Sequence, residues 1–505
     1  MTAVTDAKRT ILLHTAVWGD WHIDALVNVT IPSLLAAGNL PHMAQCHDLG
    51  YVISTRPSDR PRIEAAPSFQ RLKQIIPIQI QTNLPEVNTG NVFVIHHVIW
   101  RDIQERAKAA GVFLWNMPPD VAFADGAGVT LTKLLAKGKR SIIWWYARTA
   151  DTVVPVLKGN YLQADATMSI APRELVELSF EHMHPLSNAY FVDSPCFANF
   201  HPEMLQWRVS ENAMLVRMLA SANWLYEPGH FKLTHQHLLG GDLNLDEVAV
   251  IDDSDDLFVA SLAPVKHNAE WYEKPDRIDP VATGRWWHEW SSPANDFIAG
   301  HSIRMHAGDV SGEVWRRYED ESGAFLSRIT VLRHAFDLAK CAMDANCMWA
   351  AGVLISMCHH KQELVSALLP ERTNIIVFGP TDDFAKLIPV DVANEATNSG
   401  HDTRLRRLMT ASVAIDEHEP GTLMERMRAN GGVLRLRSPA GNEFVLAADA
   451  AGQVSVNGVP VMTPLKYHHG NLFVPIAGVL DPELLQEIVN TLRLRGPQPG
   501  HEARI

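Results

Sequence analysis

From residue 10 to residue 145 the chain exchanges short apolar runs for stretches of helical spacing, and this exchange constrains the fold more than any other feature. Residues 10–17 (TILLHTAV), 51–55 (YVIST), 75–80, 112–115 (VFLW) and 141–145 (SIIWW) read as five buried strands. Between the first two, residues 24–36 form a helical stretch that Pro32 should bend and Gly38 should end. Val92, Ile95, Ile99, Ile103 and Ala107 recur at helical spacing before Gly111, and Leu131, Leu134 and Leu135 mark a short helix closed by Gly138. Parallel strands need crossover connections, most simply helices. The pattern therefore predicts an α/β fold, a mostly parallel sheet with helices on both faces.

After residue 150 the order loosens. Helical pieces are expected at 172–180 and 211–220, among loops rich in Pro, His and Asn. Then comes a β-branched run, Val248-Ala249-Val250-Ile251, that ends in Asp252-Asp253-Ser254-Asp255-Asp256. Open α/β sheets bind ligands beyond the carboxyl ends of their strands. Asp253 and Asp255 form an Asp-x-Asp pair whose hard oxygens suit Mg²⁺ or Mn²⁺. A solvated acidic turn accounts for the same run. Residues 265–310 read as loop, with Trp286, Trp287 and Trp290 together, and residues 311–369 as almost wholly helical. Residues 433–475 alternate in short runs with turns at Pro439-Ala440-Gly441-Asn442 and Asn457-Gly458, which predicts antiparallel β. A last helix should start at Asp481 and Pro482, with Leu484, Leu485, Ile488, Val489 and Leu492 on one face. Three regions result: 1–270, a mainly helical 271–425, and a small β-rich module with a terminal helix at 426–505.

Charge and cysteine content narrow the function. A net charge of −13 argues against a nucleic-acid binder and against electrostatic docking on anionic lipid. The five cysteines (Cys46, Cys196, Cys341, Cys347, Cys358) contain no C-x-x-C, so neither a disulfide framework nor a zinc ribbon is suggested, and a reducing cytoplasm fits best. The first residues lack the apolar core of a signal peptide. The longest apolar stretch, 348–358, is too short to span a bilayer and reads as a buried helix.

The histidines offer two chelating spacings, His182-x-His184 and His235-x-His237, if those segments are extended. His96 and His97 fall on a helix, where adjacent side chains diverge by about 100°. The three tryptophans suit either sugar stacking or core packing. Gly240-Gly241-Asp242 lacks the spacing of a dinucleotide site, and neither a P-loop nor a G-x-S-x-G occurs.

Several segments carry a family resemblance: His14-Thr15-Ala16-Val17-Trp18-Gly19, the run from Pro32 to Pro41, Tyr51-Val52-Ile53-Ser54-Thr55, the run from Pro119 to Gly126, and Asp253-Ser254-Asp255-Asp256-Leu257-Phe258. In this order they resemble GT-A-type nucleotide-sugar glycosyltransferases, and more narrowly bacterial proteins met beside polysaccharide-biosynthesis genes. The resemblance covers about the first 270 residues. It implies a nucleotide-binding half in which Thr15, Ala16 and Trp18 line the nucleoside and Thr55 and Asp59 lie near the base. It also implies an acidic site for a divalent metal, Mn²⁺ or Mg²⁺. The usual position of that site, after the early strands, carries Asp120 and Asp125 instead of an Asp-x-Asp, and the true motif comes at Asp253 and Asp255. Either pair could hold the metal, or the first could hold sugar and the second metal.

The expected reaction moves a sugar from a nucleotide diphosphate sugar to a glycan, a lipid-linked sugar or a protein, in the cytoplasm or peripherally at the inner membrane. The leaving diphosphate needs positive charge, for which Arg148 is the candidate, and an inverting transfer needs a carboxylate base, for which Asp256 is the candidate. A metal-dependent hydrolase and a non-catalytic GT-A-like binding component are the alternatives.

Overall fold

The computed structural model describes residues 8–490 except 84–91, 221–222, 230–231, 235–236, 240–243, 291–292, 370–373, 389–393, 398–402, 417, 419–421, 440, 464, 469, 482, 484–485 and 487–489. It is a mixed α/β structure in two compact units, Met1–Ile278 with Trp290–Gly323, and Asp279–Glu289 with Ala324–Ile505.

The first unit contains β1 (Thr10–Ala16), β2 (Asp48–Ser54), β3 (Ile78–Gln81), β4 (Phe113–Asn116), β5 (Val121–Phe123), β6 (Ser141–Trp144), β7 (Ala147–Ala150), β8 (Met204–Ser210), β9 (Ala213–Met218), β10 (Asn223–Tyr226), β11 (Lys232–Thr234), β12 (His237–Leu239), β13 (Val248–Val250), β14 (Val259–Ala263) and β15 (Ile303–His306). The main sheet has the order β13-β6-β10-β4-β1-β2-β3. β1 runs parallel to both neighbours, with His14 opposite Val52 on β2 and Asn116 on β4. β10 is antiparallel to β4 and β6, and β13 is again parallel to β6. Smaller sheets, β5-β14-β7 and β15-β9-β8, lie in the same unit.

Both faces of the main sheet are covered, which is why its strands read as apolar runs. Leu13, Ile53, Trp115 and Ile142 share a core with Leu34 and Leu131 from two helices. The alternate residues Val52, Leu114 and Ile143 pack with Ile103 and Ala107 of the helix Val92–Ala110. The helical stretch after β1 is continuous from Asp20 to Leu34, and its expected bend appears as a π-helical turn, Leu26–Thr30, just ahead of Pro32. The wider turn accommodates a residue that has no N–H to donate.

Two expectations need correction. Residues 213–218 are strand β9, not helix, hairpinned to β8 with an irregularity between Arg208 and Ser210. Every residue of β9 is buried, so its side chains show no polar face to reveal the two-residue period. Residues 265–310 are not loop: they hold the helices Pro280–Trp290 and Pro293–Ala299 and strand β15. Each helix begins with its proline, where a missing N–H costs nothing.

The second unit joins what the sequence divided. Its helices include Gly312–Asp344 from Ala324 onward, Met348–His360 and Gln362–Leu368. Its strands are β16 (Ile375–Pro380), β17 (Val413–Ile415), β18 (Val433–Arg437), β19 (Glu443–Ala448), β20 (Val454–Val456), β21 (Val459–Pro460), β22 (Lys466–His468) and β23 (Asn471–Ile476), in the order β21-β20-β19-β18-β17-β16-β23-β22. The pairing is antiparallel as expected, except that β16 and β23 run parallel. Leu332, Leu338 and Leu354 from the helices share one core with Val377 and Phe473 from the sheet. The terminal helix expected after Asp481 falls largely outside the described residues. Among the described residues no helix is long and apolar enough to cross a membrane.

A tight approach braces the loop before the helix Leu40–Cys46. A Cβ on Gly128 would lie 2.4 Å from the Asn39 carbonyl oxygen, while the Gly128 N–H donates to Asn39 Oδ1 at 3.2 Å. Gly128→Ala must push backbone against backbone, so we expect a loss of about 1–3 kcal/mol, read as a lower urea midpoint with unchanged slope.

Candidate functional site

The chain places β2 and β3 on one side of β1 and returns to place β4 on the other. The strand order therefore reverses between β1 and β4, and the carboxyl ends of these strands border the crevice where such sheets bind ligands. His14 makes this edge rigid. Its Nδ1 lies 3.2 Å from Asn116 Oδ1 on β4 and its Nε2 3.1 Å from Ser54 Oγ on β2. Burial pushes its pKa down to about 4, so the ring is neutral and acts as a strut.

Trp18 stands just past β1, half-buried, between the Arg56 guanidinium at 5.8 Å and the His96 ring at 4.6 Å. Gly19 follows with φ +82°, a conformation that favours glycine, and its N–H donates to Asp59 Oδ2 at 3.4 Å. Trp18 and Asp59 thus share one rim with Arg56 and His96. The other expected nucleoside residues stand deeper. Thr15 is fully buried, donates to the Met117 carbonyl at 3.0 Å and accepts from Tyr51 Oη at 2.8 Å, so it ties strands together. Ala16 is buried at the end of β1, and Thr55 is buried past β2 with a hydroxyl that meets no hydrogen-bond partner among the described residues.

Asp120 and Asp125 have different surroundings. Asp125 Oδ1 accepts from the Gly38 N–H at 2.7 Å and Oδ2 from Ser169 Oγ at 2.7 Å, so the whole carboxylate latches the loop at Gly38. Asp120 follows β4 through Met117-Pro118-Pro119 and is half-buried. Burial pushes its carboxyl above the usual carboxylate range, against the pull of the nearby His22 and Arg148 charges. Arg148 lies on β7, and its charge also reaches His184 and His267, both pushed down chiefly by burial. A carboxylate with a raised pKa beside a fixed cation is a combination suited to proton transfer next to an anionic substrate.

The third group lies past β13. Asp253, Asp255 and His306 each offer one ligand atom, all within 4.8 Å of one another, and together they could hold a divalent ion. His306, at the end of β15, places Nε2 3.1 Å from Asp253 Oδ1, and its Nδ1 donates to the Gly308 carbonyl at 2.9 Å. The bond to Asp253 raises the His306 pKa against the effect of burial. Burial acts to raise the Asp253 carboxyl, but His306 and the Asp255 N–H, at 2.9 Å, outweigh it and hold the pKa down. Arg173 grips Asp255 with Nε at 3.0 Å and Nη2 at 2.8 Å, and reaches Asp309 with Nη1. An imidazole beside two carboxylates fits Mn²⁺ or Zn²⁺ better than Mg²⁺. Asp256 is exposed, and its carboxyl is pushed up by partial burial and then by Asp253 and Asp252.

Among the described residues the histidine pairs give no chelate. His182 ends one helix and His184 caps the next, with His182 at φ −112° and ψ 32° rather than extended. His182 Nδ1 meets Thr152 Oγ1 at 2.9 Å, whereas His184 donates to the Pro264 carbonyl and accepts from the Leu186 N–H. His96 packs on Trp18, and His97 accepts from Arg101 one turn along the helix. His235 and Gly240-Gly241-Asp242 lie outside the described residues, as does the His237 side chain. Trp286 and Trp287 are core residues, and Trp290 alone of the three is exposed, 6.5 Å from the His201 ring. Sequence reasoning missed His22, Arg173, His267 and His306. None of them sits in a motif, and His306 is 53 positions from the aspartate it touches.

Neither a protein-family model nor a curated protein matches this chain.

Proposed function

We propose that the first unit is a GT-A-like glycosyltransferase domain that moves a sugar from a nucleotide diphosphate donor to a hydroxyl of a glycan, lipid-linked sugar or protein. The observation that carries this reading is the switch point between β1 and β4, with Trp18, Arg56 and Asp59 on one rim and Asp120 past the neighbouring strand. An aromatic face, a guanidinium and a carboxylate suit a base and ribose. Arg148 supplies fixed positive charge for the departing diphosphate. Asp120 takes the acceptor proton; it suits this role better than Asp256 because it shares its surroundings with Arg148.

The Asp253 group lies four strands from β1 along the sheet, about 19 Å at ordinary strand spacing. A cation there is separate from the donor phosphates of this reading; when bound, it would add local positive charge and join the end of β13 to β15. The hydrolase reading draws nothing from His182 and His184, whose ring nitrogens bond to different partners.

A thermal-shift series with nucleoside diphosphates and their sugars, with and without Mn²⁺, tests the proposal. One nucleotide at about a hundred times its dissociation constant should add about 2.7 kcal/mol of stability. The shift should vanish in Trp18→Ala and persist in Asp253→Ala. Absence of a shift with every nucleotide would overturn the donor-binding reading.

A further inference from the structure

A second cluster of ligating side chains lies wholly within the second unit. His288 comes from the helix Pro280–Trp290, Asp337 from the helix Gly312–Asp344, and His468 is the last residue of β22. Asp337 is fully buried, and its two oxygens have different tasks. Oδ2 accepts from Asn471 Nδ2 at 3.2 Å and faces Arg333 Nε at 3.9 Å. Arg333 in turn packs over the Trp287 ring at 4.7 Å. Oδ1 faces His288 Nδ1 at 2.5 Å and His468 Nε2 at 3.6 Å. One oxygen is held by the surrounding structure, and the other converges with two imidazole nitrogens.

We propose that His288 Nδ1, Asp337 Oδ1 and His468 Nε2 bind a divalent transition-metal ion of the zinc class. The three residues each offer one ligand atom within 4.8 Å of the other two. Ligands at about 2.0–2.2 Å from a tetrahedral ion are about 3.3–3.5 Å apart, so shifts of about 1 Å complete the site. Two imidazoles and one carboxylate select zinc, cobalt or manganese over magnesium and calcium. The Asn471 amide is the outer hydrogen bond that orients the carboxylate ligand. Three protein ligands leave a fourth position for water. His468, about one-third exposed, gives the ion a path to solvent. On binding, the proton in the His288–Asp337 contact leaves to solvent and the ion replaces it. The ion would tie the β22–β23 hairpin to two helices whose ligands stand 131 and 180 positions earlier in the chain, at Asp337 and His288.

The full chain should be titrated with Co²⁺, following equilibrium dialysis and the visible absorption of tetrahedral cobalt. Wild type and Asp253→Ala should both show the tetrahedral band, and Zn²⁺ should abolish it. His468→Gln alters a partly exposed hairpin end, so its circular dichroism should match wild type, and added to Asp253→Ala, which removes the cluster of the first unit, it should weaken the remaining Co²⁺ binding at least about 100-fold. His288→Gln should do the same. Asp253→Ala without the band would overturn the proposal, as would a band of full strength when His468→Gln is added to it.

Discussion

Asp120→Asn should fold at least as stably as wild type at neutral pH and lose about 10²–10⁴-fold in turnover. Both expectations come from the same burial. The folded protein holds the Asp120 proton more tightly than the unfolded chain does. Its contribution to stability is therefore fully present below the unfolded pKa, about 3.9, and is lost as pH rises through the higher folded value. At pH 7 the ionised group is a net cost to folding, which asparagine removes without changing shape. The ionised form is also the form that accepts a proton, so removing it relieves the fold and stops the chemistry. In wild type, kcat/KM should fall on the acid side at a pH above that of an ordinary aspartate. Nucleotide binding should survive in Asp120→Asn, because the rim at Trp18 and Asp59 is untouched. Unchanged turnover would remove Asp120 from the reaction, and a marked loss of stability would show that its charge serves the fold.

Arg148 and Asp120 also illustrate what the sequence could and could not disclose. β1, β2, β4 and β6 were legible because burial on both faces turns a strand into an unbroken apolar run. That same property hid β9, whose run AMLVRM has no polar face and was taken for helix. β10 went unrecognised among loop-forming residues because its pairing, antiparallel between β4 and β6, is fixed by tertiary contacts. The helices at 280–299 were obscured by their aromatic content, although Pro280 and Pro293 stood at first helical positions. For the sites the limit is distance along the chain. Asp253 and Asp255 are local and visible. His306 completes their cluster from a different sheet, and His288, Asp337 and His468 share no spacing that a motif could express. Asp120 was visible only as an acid in a loop. Its raised pKa depends on burial, which outweighs the opposing charges of His22 and Arg148, and so on the fold itself.

Mn²⁺ binding at Asp253, Asp255 and His306 should weaken by about tenfold for each pH unit below the raised His306 pKa. The Gly308 carbonyl can only accept, so Nδ1 carries a proton. The Asp253 carboxylate likewise draws a proton onto Nε2, which is why the ring titrates above its ordinary 6.5. A metal ligating Nε2 must displace that proton, and the displacement becomes costlier as pH falls. Arg173 is the second competitor. Its pair with Asp255 leaves both side chains 42% exposed, and solvent-screened pairs of this kind contribute little. Arg173→Ala should therefore tighten Mn²⁺ by no more than about fivefold, whereas Asp253→Ala removes a ligand and should cost about 10²-fold or more. His306→Ala should lose affinity and, with it, the pH dependence. Calorimetric titration of Mn²⁺ between about pH 5.5 and 8, in a His468→Gln background that removes the cluster of the second unit, measures all three. Weak binding that ignores both pH and Asp253→Ala would reduce the cluster to a set of ion pairs joining β13 to β15, with no metal in its function.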